Sequence, residues 1–200
     1  MKIIESQTLA QGYLICRFNQ CMLIDPPNNI EQIEDYLEQR ELIGILITHA
    51  HFKHLSMIHY YDVPIYIHHH DAHLLFEDKY NGYYHKKREY KKSDLNLKIL
   101  KDQDEINLAD QKIICLSTPG HTKGSMVFSY QDYLFTGDTL LKENVGSYEK
   151  YSGNLFELKN SVLMIMKRFS KDTIVCPGHG EITTIGHELK NNKHYRKWKR

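Results

Sequence analysis

The run Leu42-Ile43-Gly44-Ile45-Leu46-Ile47 empties directly into Thr48-His49-Ala50-His51-Phe52-Lys53-His54, and this junction constrains the chain more than any other stretch. A short apolar run rich in β-branched residues reads as a buried strand rather than a helix. Its carboxyl end therefore opens into a loop crowded with imidazoles, where α/β proteins commonly place a site. His49 and His51 are two apart, so an extended backbone turns both toward one side. Neutral imidazole is the commonest metal ligand, and two that converge make half of a zinc site. Alone, the H-x-H is a weak signal, because a histidine-rich surface loop is spelled the same way.

Composition removes several alternatives. Two hundred residues with 41% hydrophobic content suit one domain spanning 1–200. The formal net charge of +1 supplies no global field, which argues against nucleic acid or a membrane surface as partner. No apolar stretch approaches the roughly 20 residues that a bilayer span needs, and the start lacks the apolar core of a signal peptide. Cys16, Cys21, Cys115 and Cys176 each sit in or beside an apolar run without C-x-x-C spacing. They read as reduced core thiols of a cytoplasmic protein.

Taken in order, the chain suggests strands at 3–6, 13–18 and 21–24, with Asn19-Gln20 as a hairpin connection. Asp25-Pro26-Pro27 stops the sheet, and Asn28 or Asn29 caps a helix in which Ile30, Ile33 and Leu37 recur at helical spacing. Short helices are expected at 55–60 and 71–76, around a strand at 65–67. His68, His69, His70 and His73 follow no ligand pattern and read as structural or surface groups. The stretch 79–92 is polar, basic and aromatic, and reads as a solvated loop. A substrate lid or anion-binding flap is the sharper alternative, since tyrosine with Lys and Arg suits stacking and phosphate contact. The second half repeats the grammar: strands at 97–100, 112–116, 125–130, 133–136 and 173–176, a helix over 155–169 and another near 185–189. Strand successions followed by helices, without strict βαβ alternation, imply two mixed sheets between helical layers.

Three later turns each leave a strand and deliver a metal-competent side chain. Thr118-Pro119-Gly120-His121-Thr122 brings His121, Thr136-Gly137-Asp138-Thr139 brings Asp138, and Cys176-Pro177-Gly178-His179-Gly180 brings His179. Strand, glycine, ligand, three times over, is a strong signal where the H-x-H was weak.

With these motifs the chain resembles the metallo-β-lactamase-fold hydrolases, in particular their short glyoxalase-II-like members. The likeness runs from Asp25-Pro26 through Thr48–His54 and the three turns into 181–188. It implies an α/β (α+β) αββα sandwich, two mixed sheets flanked by helices, with a metal site at the sheets' edge. By motif position it implies His49, His51 and His121 as ligands of a first metal, His54 and His179 as ligands of a second, and Asp138 as the bridging carboxylate. The cofactor implied is Zn2+, with Fe2+ or Mn2+ as alternatives, and the chemistry is attack by an activated water.

The family motif T-H-x-H-x-D-H carries an aspartate where this chain has Lys53. A protonated lysine has no acceptor and repels a nearby dication, so one metal per chain is expected. Ser56 also replaces a usual glycine, and the helical domain with which full-length glyoxalase II holds glutathione is not found after 191–192. A basic stretch, 193–200, stands there and reads as a solubilising terminus. The expected function is a metal-dependent hydrolase of a small ester- or thioester-like substrate, with Asp138 catalytic and Lys53 available to pair with Asp138 and stabilise an oxyanion. Two alternatives stand beside it. One is a mononuclear iron enzyme resembling persulfide dioxygenases, using His49, His121 and Asp138; the other is a catalytically silent binding protein of the same fold.

Overall fold

In the computed structural model, residues 1–4, 10–83 and 88–199 are described. The first sheet starts from an antiparallel hairpin, β2 (Gly12–Arg17) with β3 (Gln20–Ile24), and β1 (Lys2–Ile4) lies against β2. Asn29 caps α1 (Ile30–Leu37) by accepting from the Gln32 amide, and the helix crosses over to β4 (Glu41–Leu46), parallel to β3. Next come β5 (Pro64–His68), α2 (His69–Ala72), α3 (Asp78–Asn81) and β6 (Asn96–Leu100), the two strands adding in parallel to give the order β1-β2-β3-β4-β5-β6.

The second sheet is an antiparallel meander of β7 (Glu105–Leu108), β8 (Gln111–Ser117), β9 (Met126–Tyr130) and β10 (Tyr133–Gly137). After α4 (Leu155–Arg168), β11 (Ile174–Pro177) joins β10 in parallel and β12 (Thr183–Thr184) closes the edge. Strand period places alternate residues on opposite faces. Tyr13, Ile15, Met22 and Ile24 meet Cys115, Phe128, Phe135 and Cys176 between the sheets. Leu14, Leu23 and Ile45 face outward and pack on Ile33 and Leu37 of α1. On the far side α4 buries Leu158, Val162, Ile165 and Met166, with α5 (Ile185–Asn191) and α6 (Lys193–Trp198) beside it. The layers are helix, sheet, sheet, helix, as the resemblance implied.

Several local expectations are corrected. Cys16 and Cys21 are not reduced thiols but a disulfide, because the hairpin register sets them directly opposite with Cα atoms 4.1 Å apart. Side chains of such a cross-strand pair leave the same face, so the bond closes without moving the backbone. Cys115 and Cys176 are buried free thiols, as expected. No helix forms over 55–60, which is a set of turns following a 3-10 segment at Phe52–His54. Strand β7 was not foreseen: it exposes Glu105 and Asn107 and buries Ile106 and Leu108. The stretch 79–92 is not simply a solvated loop. Tyr83 and Tyr90 lie in the first core cluster and Arg88 pairs with Asp78, while 84–87 fall outside the described residues, as do Glu5 and Ser6 of the first expected strand. Nor is 193–200 a free tail, for Tyr195 and Trp198 of α6 pack on the third cluster.

Candidate metal centre

Both sheets deliver their loops to one end, and two buried carboxylates tie those loops together. Asp71 accepts from the Ala50 amide at 2.9 Å, the Thr122 hydroxyl at 2.8 Å and the Gly124 amide at 2.8 Å. It thereby clamps the loop bearing His49 and His51 to the turn bearing His121. Burial pushes the Asp71 carboxyl up from its ordinary range, against those three donors. The Met126 amide adds a bond to the Thr48 carbonyl at 2.8 Å.

Asp25 does the same from the first sheet. Its φ of +48° is a left-handed conformation that aspartate tolerates better than most residues. It accepts from the Thr48 amide at 2.8 Å, the Thr48 hydroxyl at 2.5 Å and His54 Nδ1 at 2.9 Å. A carboxylate only accepts, so the Thr48 hydroxyl proton is committed to it. The Thr48 oxygen, 3.1 Å from His49 Nδ1, must then accept from that nitrogen. Asp25 thus fixes the tautomers of two histidines at once, His54 directly and His49 through Thr48. Both are left with Nε2 as a free lone pair, as metal-ligating histidines require. His121 is fixed likewise, donating from Nδ1 to the Ser147 carbonyl at 2.6 Å.

The freed nitrogens converge. His49, His51 and His121 form one buried group and His54, Asp138 and His179 a second, the ligand atoms of each lying within 4.8 Å of one another. Asp138 stands between them. Its Oδ2 is 3.5 Å from His121 Nε2 and 4.0 Å from His49 Nε2, while Oδ1 is 2.7 Å from His179 Nδ1 and 3.8 Å from His54 Nε2. His51 Nδ1 and His121 Nε2 are 2.9 Å apart. Zinc–nitrogen bonds of about 2.0–2.1 Å give a tetrahedral edge of about 3.3 Å, which these spacings bracket. His49 Nε2 and His54 Nε2 are buried with no hydrogen-bond partner, a state that costs free energy unless a ligand is received. The donor set therefore fits a divalent metal. Asp25, His49 and His54 also lie close enough to hold an ion, but Asp25 is saturated by Thr48 and His54 and acts as their anchor.

The electrostatics agree with ligation. Burial, then the neighbouring imidazoles, hold His49 well below its ordinary pKa, and burial with His121 and Lys150 does the same for His51. Burial also lowers His121. Neutral imidazole is the ligating form. His54 moves the other way: burial lowers it, but the charge of Asp25 and its hydrogen bond outweigh this and raise it. Burial raises Asp138, yet the His179 hydrogen bond and the charges of His54, His121 and His179 leave its carboxyl well below the usual range.

All six expected ligands are thus brought together. Lys53 is placed beside them, in the wall of a cavity of about 500 Å³ that His51, His54, His121, Asp138 and His179 also line. It does not pair with Asp138: among the described residues, the partners of Asp138 within 4.0 Å are the four histidines already named. The sequence reading did not assign Thr48, Asp71 or the tautomer-fixing role of Asp25. Asp25 had a signal, an acid at a strand's end before two prolines; Asp71 had none.

The chain belongs to the metallo-beta-lactamase superfamily, whose family model matches residues 10–179. It is similar to the probable metallo-hydrolase YqgX of Bacillus subtilis, 26% identical over 195 residues that cover 92% of this chain and 90% of the relative. Among solved structures it is similar to the B3 metallo-beta-lactamase BLEG-1, with a TM-score of 0.85 and 26% identity over 97% of this chain and 98% of that one. TTHA1623, solved in a di-iron-bound form, gives a TM-score of 0.83 and 26% identity over 96% and 99%. At the coarse level these define a metallo-hydrolase of a superfamily that binds divalent metals. No helix among the described residues is long and apolar enough to cross a membrane.

Proposed function

We propose that this protein hydrolyses a small ester- or thioester-like substrate with one divalent metal, held by His49, His51, His121 and Asp138. The observation that carries the reading is the pair of buried, unpartnered Nε2 atoms of His49 and His54, 4.0 and 3.8 Å from Asp138, which with His54 lines an open cavity. When bound there, a divalent ion supplies a Lewis acid and lowers the pKa of water toward neutrality. Zinc suits the imidazole-rich set; iron and manganese are the alternatives.

The protein's own groups supply the rest. Asp138, kept ionised by its collar of imidazoles, stays a carboxylate at the floor, able to ligate the metal and to accept a hydrogen bond from a bound water. His179 is the most exposed of the six candidate ligands and holds Asp138 at 2.7 Å, so it orients the carboxylate from the cavity side. Lys53 offers a cation to an oxyanion from the wall. It also disfavours a dication at His54, Asp138 and His179, which is why one metal is proposed rather than two.

The test is elemental analysis of protein purified without added metal, joined to hydrolysis of a panel of aryl esters and thioesters. The expected result is about one equivalent of zinc per chain and turnover abolished by a chelator. An iron-loaded protein that consumes oxygen with a thiol-derived substrate and hydrolyses nothing would overturn the reading. It would favour a dioxygenase using the two-histidine, one-carboxylate set of His49, His121 and Asp138.

A further inference from the structure

The cavity's mouth is built from two copies of one dipeptide. Lys79-Tyr80 stands on one wall, at α3, and Lys150-Tyr151 on the other, in the connection between β10 and α4. The two tyrosine rings stack across the mouth, with centroids 3.9 Å apart and planes 21° apart. Each wall is fixed to a candidate ligand. The Lys150 wall is tied by the His121–Ser147 bond, by the Gly153 amide on the Lys150 carbonyl at 2.9 Å, and by the Asn154 amide on the Gly120 carbonyl at 2.8 Å. The Lys79 wall rests on buried Asn81, which donates to the Leu74 carbonyl at 2.7 Å and accepts from the Tyr83 amide at 2.9 Å. Gly82, at φ +94°, closes on the Phe52 ring beside His51 and Lys53, where a Cβ would lie 2.8 Å from that ring.

Among the described residues, cations outnumber carboxylates in the cavity lining. Lys53, Lys79 and Lys150 line the cavity, and among the described residues Asp138 is the sole carboxylate that does so, down at the floor. Among the described residues none of the three lysines makes an ion pair, whereas Lys112 and Lys142 elsewhere on the surface pair with Glu105 and Glu181.

We propose that Lys79-Tyr80 and Lys150-Tyr151 form an anion clasp, so that the substrate carries a carboxylate or phosphate at the end remote from the scissile bond. The reacting carbonyl sits at the floor, the chain of the substrate passes along the tyrosine stack, and the anion meets the two ammonium groups at the rim. Two cations on opposite walls also align the substrate, a positioning effect that a single surface lysine does not give. The clasp deepens the hydrolase reading and rests on it for the word substrate, but its binding of an anion can be measured without turnover.

The probes are the S-phenyl thioester of glutarate, with its free carboxylate, and its carboxamide-capped twin, together with the thioether of each, in which the carbonyl is replaced by a methylene. A charge-assisted contact is worth about a tenfold affinity change. Wild-type protein should therefore prefer the carboxylate thioester by about tenfold or more in kcat/KM and bind its thioether tighter by a similar factor. Both ratios should shrink as salt rises. Lys79→Ala and Lys150→Ala should each bring both ratios toward one, while Lys167→Ala, on the exposed face of α4, should leave them in place. Phosphate-capped twins separate the two anions. If no thioester is hydrolysed but the thioether ratio holds, the hydrolase reading fails and the clasp stands. If wild type binds the two thioethers equally, or the variants keep the preference, the clasp is wrong.

Discussion

Replacing Asp25 by asparagine keeps shape and volume but changes which way protons point at the site. One Asp25 oxygen accepts from the Thr48 amide; the other accepts from both the Thr48 hydroxyl and His54 Nδ1. In Asp25→Asn the amide oxygen can serve the Thr48 amide, which leaves an NH2 facing the hydroxyl and the imidazole. That NH2 can only donate. His54 Nδ1 must then accept, which moves its proton to Nε2, and the Thr48 hydroxyl turns toward His49 Nδ1 and does the same there. Both nitrogens that face the site become N–H donors and cannot ligate. Flipping the amide instead sets NH2 against the Thr48 N–H. One orientation forces both tautomers and the other leaves buried donors facing each other, at a cost of about 1–3 kcal/mol. Metal affinity measured against a competing chelator should fall about 10- to 100-fold, with circular dichroism unchanged. The metal-free protein carries a second signature. His54 is raised in the folded state, so it contributes stability that is present below its unfolded pKa, near 6.5, and lost as pH climbs through the folded value. That dependence should disappear in Asp25→Asn. Metal affinity within threefold of wild type, with the pH dependence intact, would refute the tautomer assignment.

Much of this was legible in the residues. The β-branched run into Thr48–His54 and the glycine turns before His121, Asp138 and His179 pointed to the candidate ligands that the fold brings together, because hydrophobic period and turn chemistry are local properties. What escaped is nonlocal. Asp71 reads as part of an unremarkable short helix until the fold sets it under Ala50, Thr122 and Gly124. Cys16 and Cys21 bond because of the hairpin register, which Asn19-Gln20 hinted at without fixing which residues stand opposite. Tyr83 and Tyr90 sit among lysines in the sequence, and that local polarity hid their burial. Helix α6 was concealed in the same way: its charges face water, while Tyr195 and Trp198 cover α4's side of the core.

Three further perturbations test neighbouring parts of the site. A Cβ at Gly178 would stand 2.6 Å from Asp138 Oδ1 and 2.7 Å from His54 Cε1, so Gly178→Ala should displace both and lower kcat about 100-fold in a folded protein; turnover within threefold would mean the floor is softer than its packing suggests. Opening the Cys16–Cys21 link, either with reductant or in the double serine variant, should cost about 2 kcal/mol in urea unfolding for so short a loop, and coincident curves with and without reductant would show that the bridge adds nothing. Lys53→Asp is the sharpest of the three, because it returns a carboxylate to the wall beside His54 and His179. An ammonium cannot ligate and repels a dication, whereas a carboxylate can ligate and attracts one. Metal content should rise from about one to about two equivalents, with greater activity on generic thioesters. If content rises while turnover falls, and Lys53→Ala lowers turnover without changing content, then Lys53 acts as the cation that meets the oxyanion. If content does not change at all, residue 53 does not govern the second group, and the one-metal reading needs another cause.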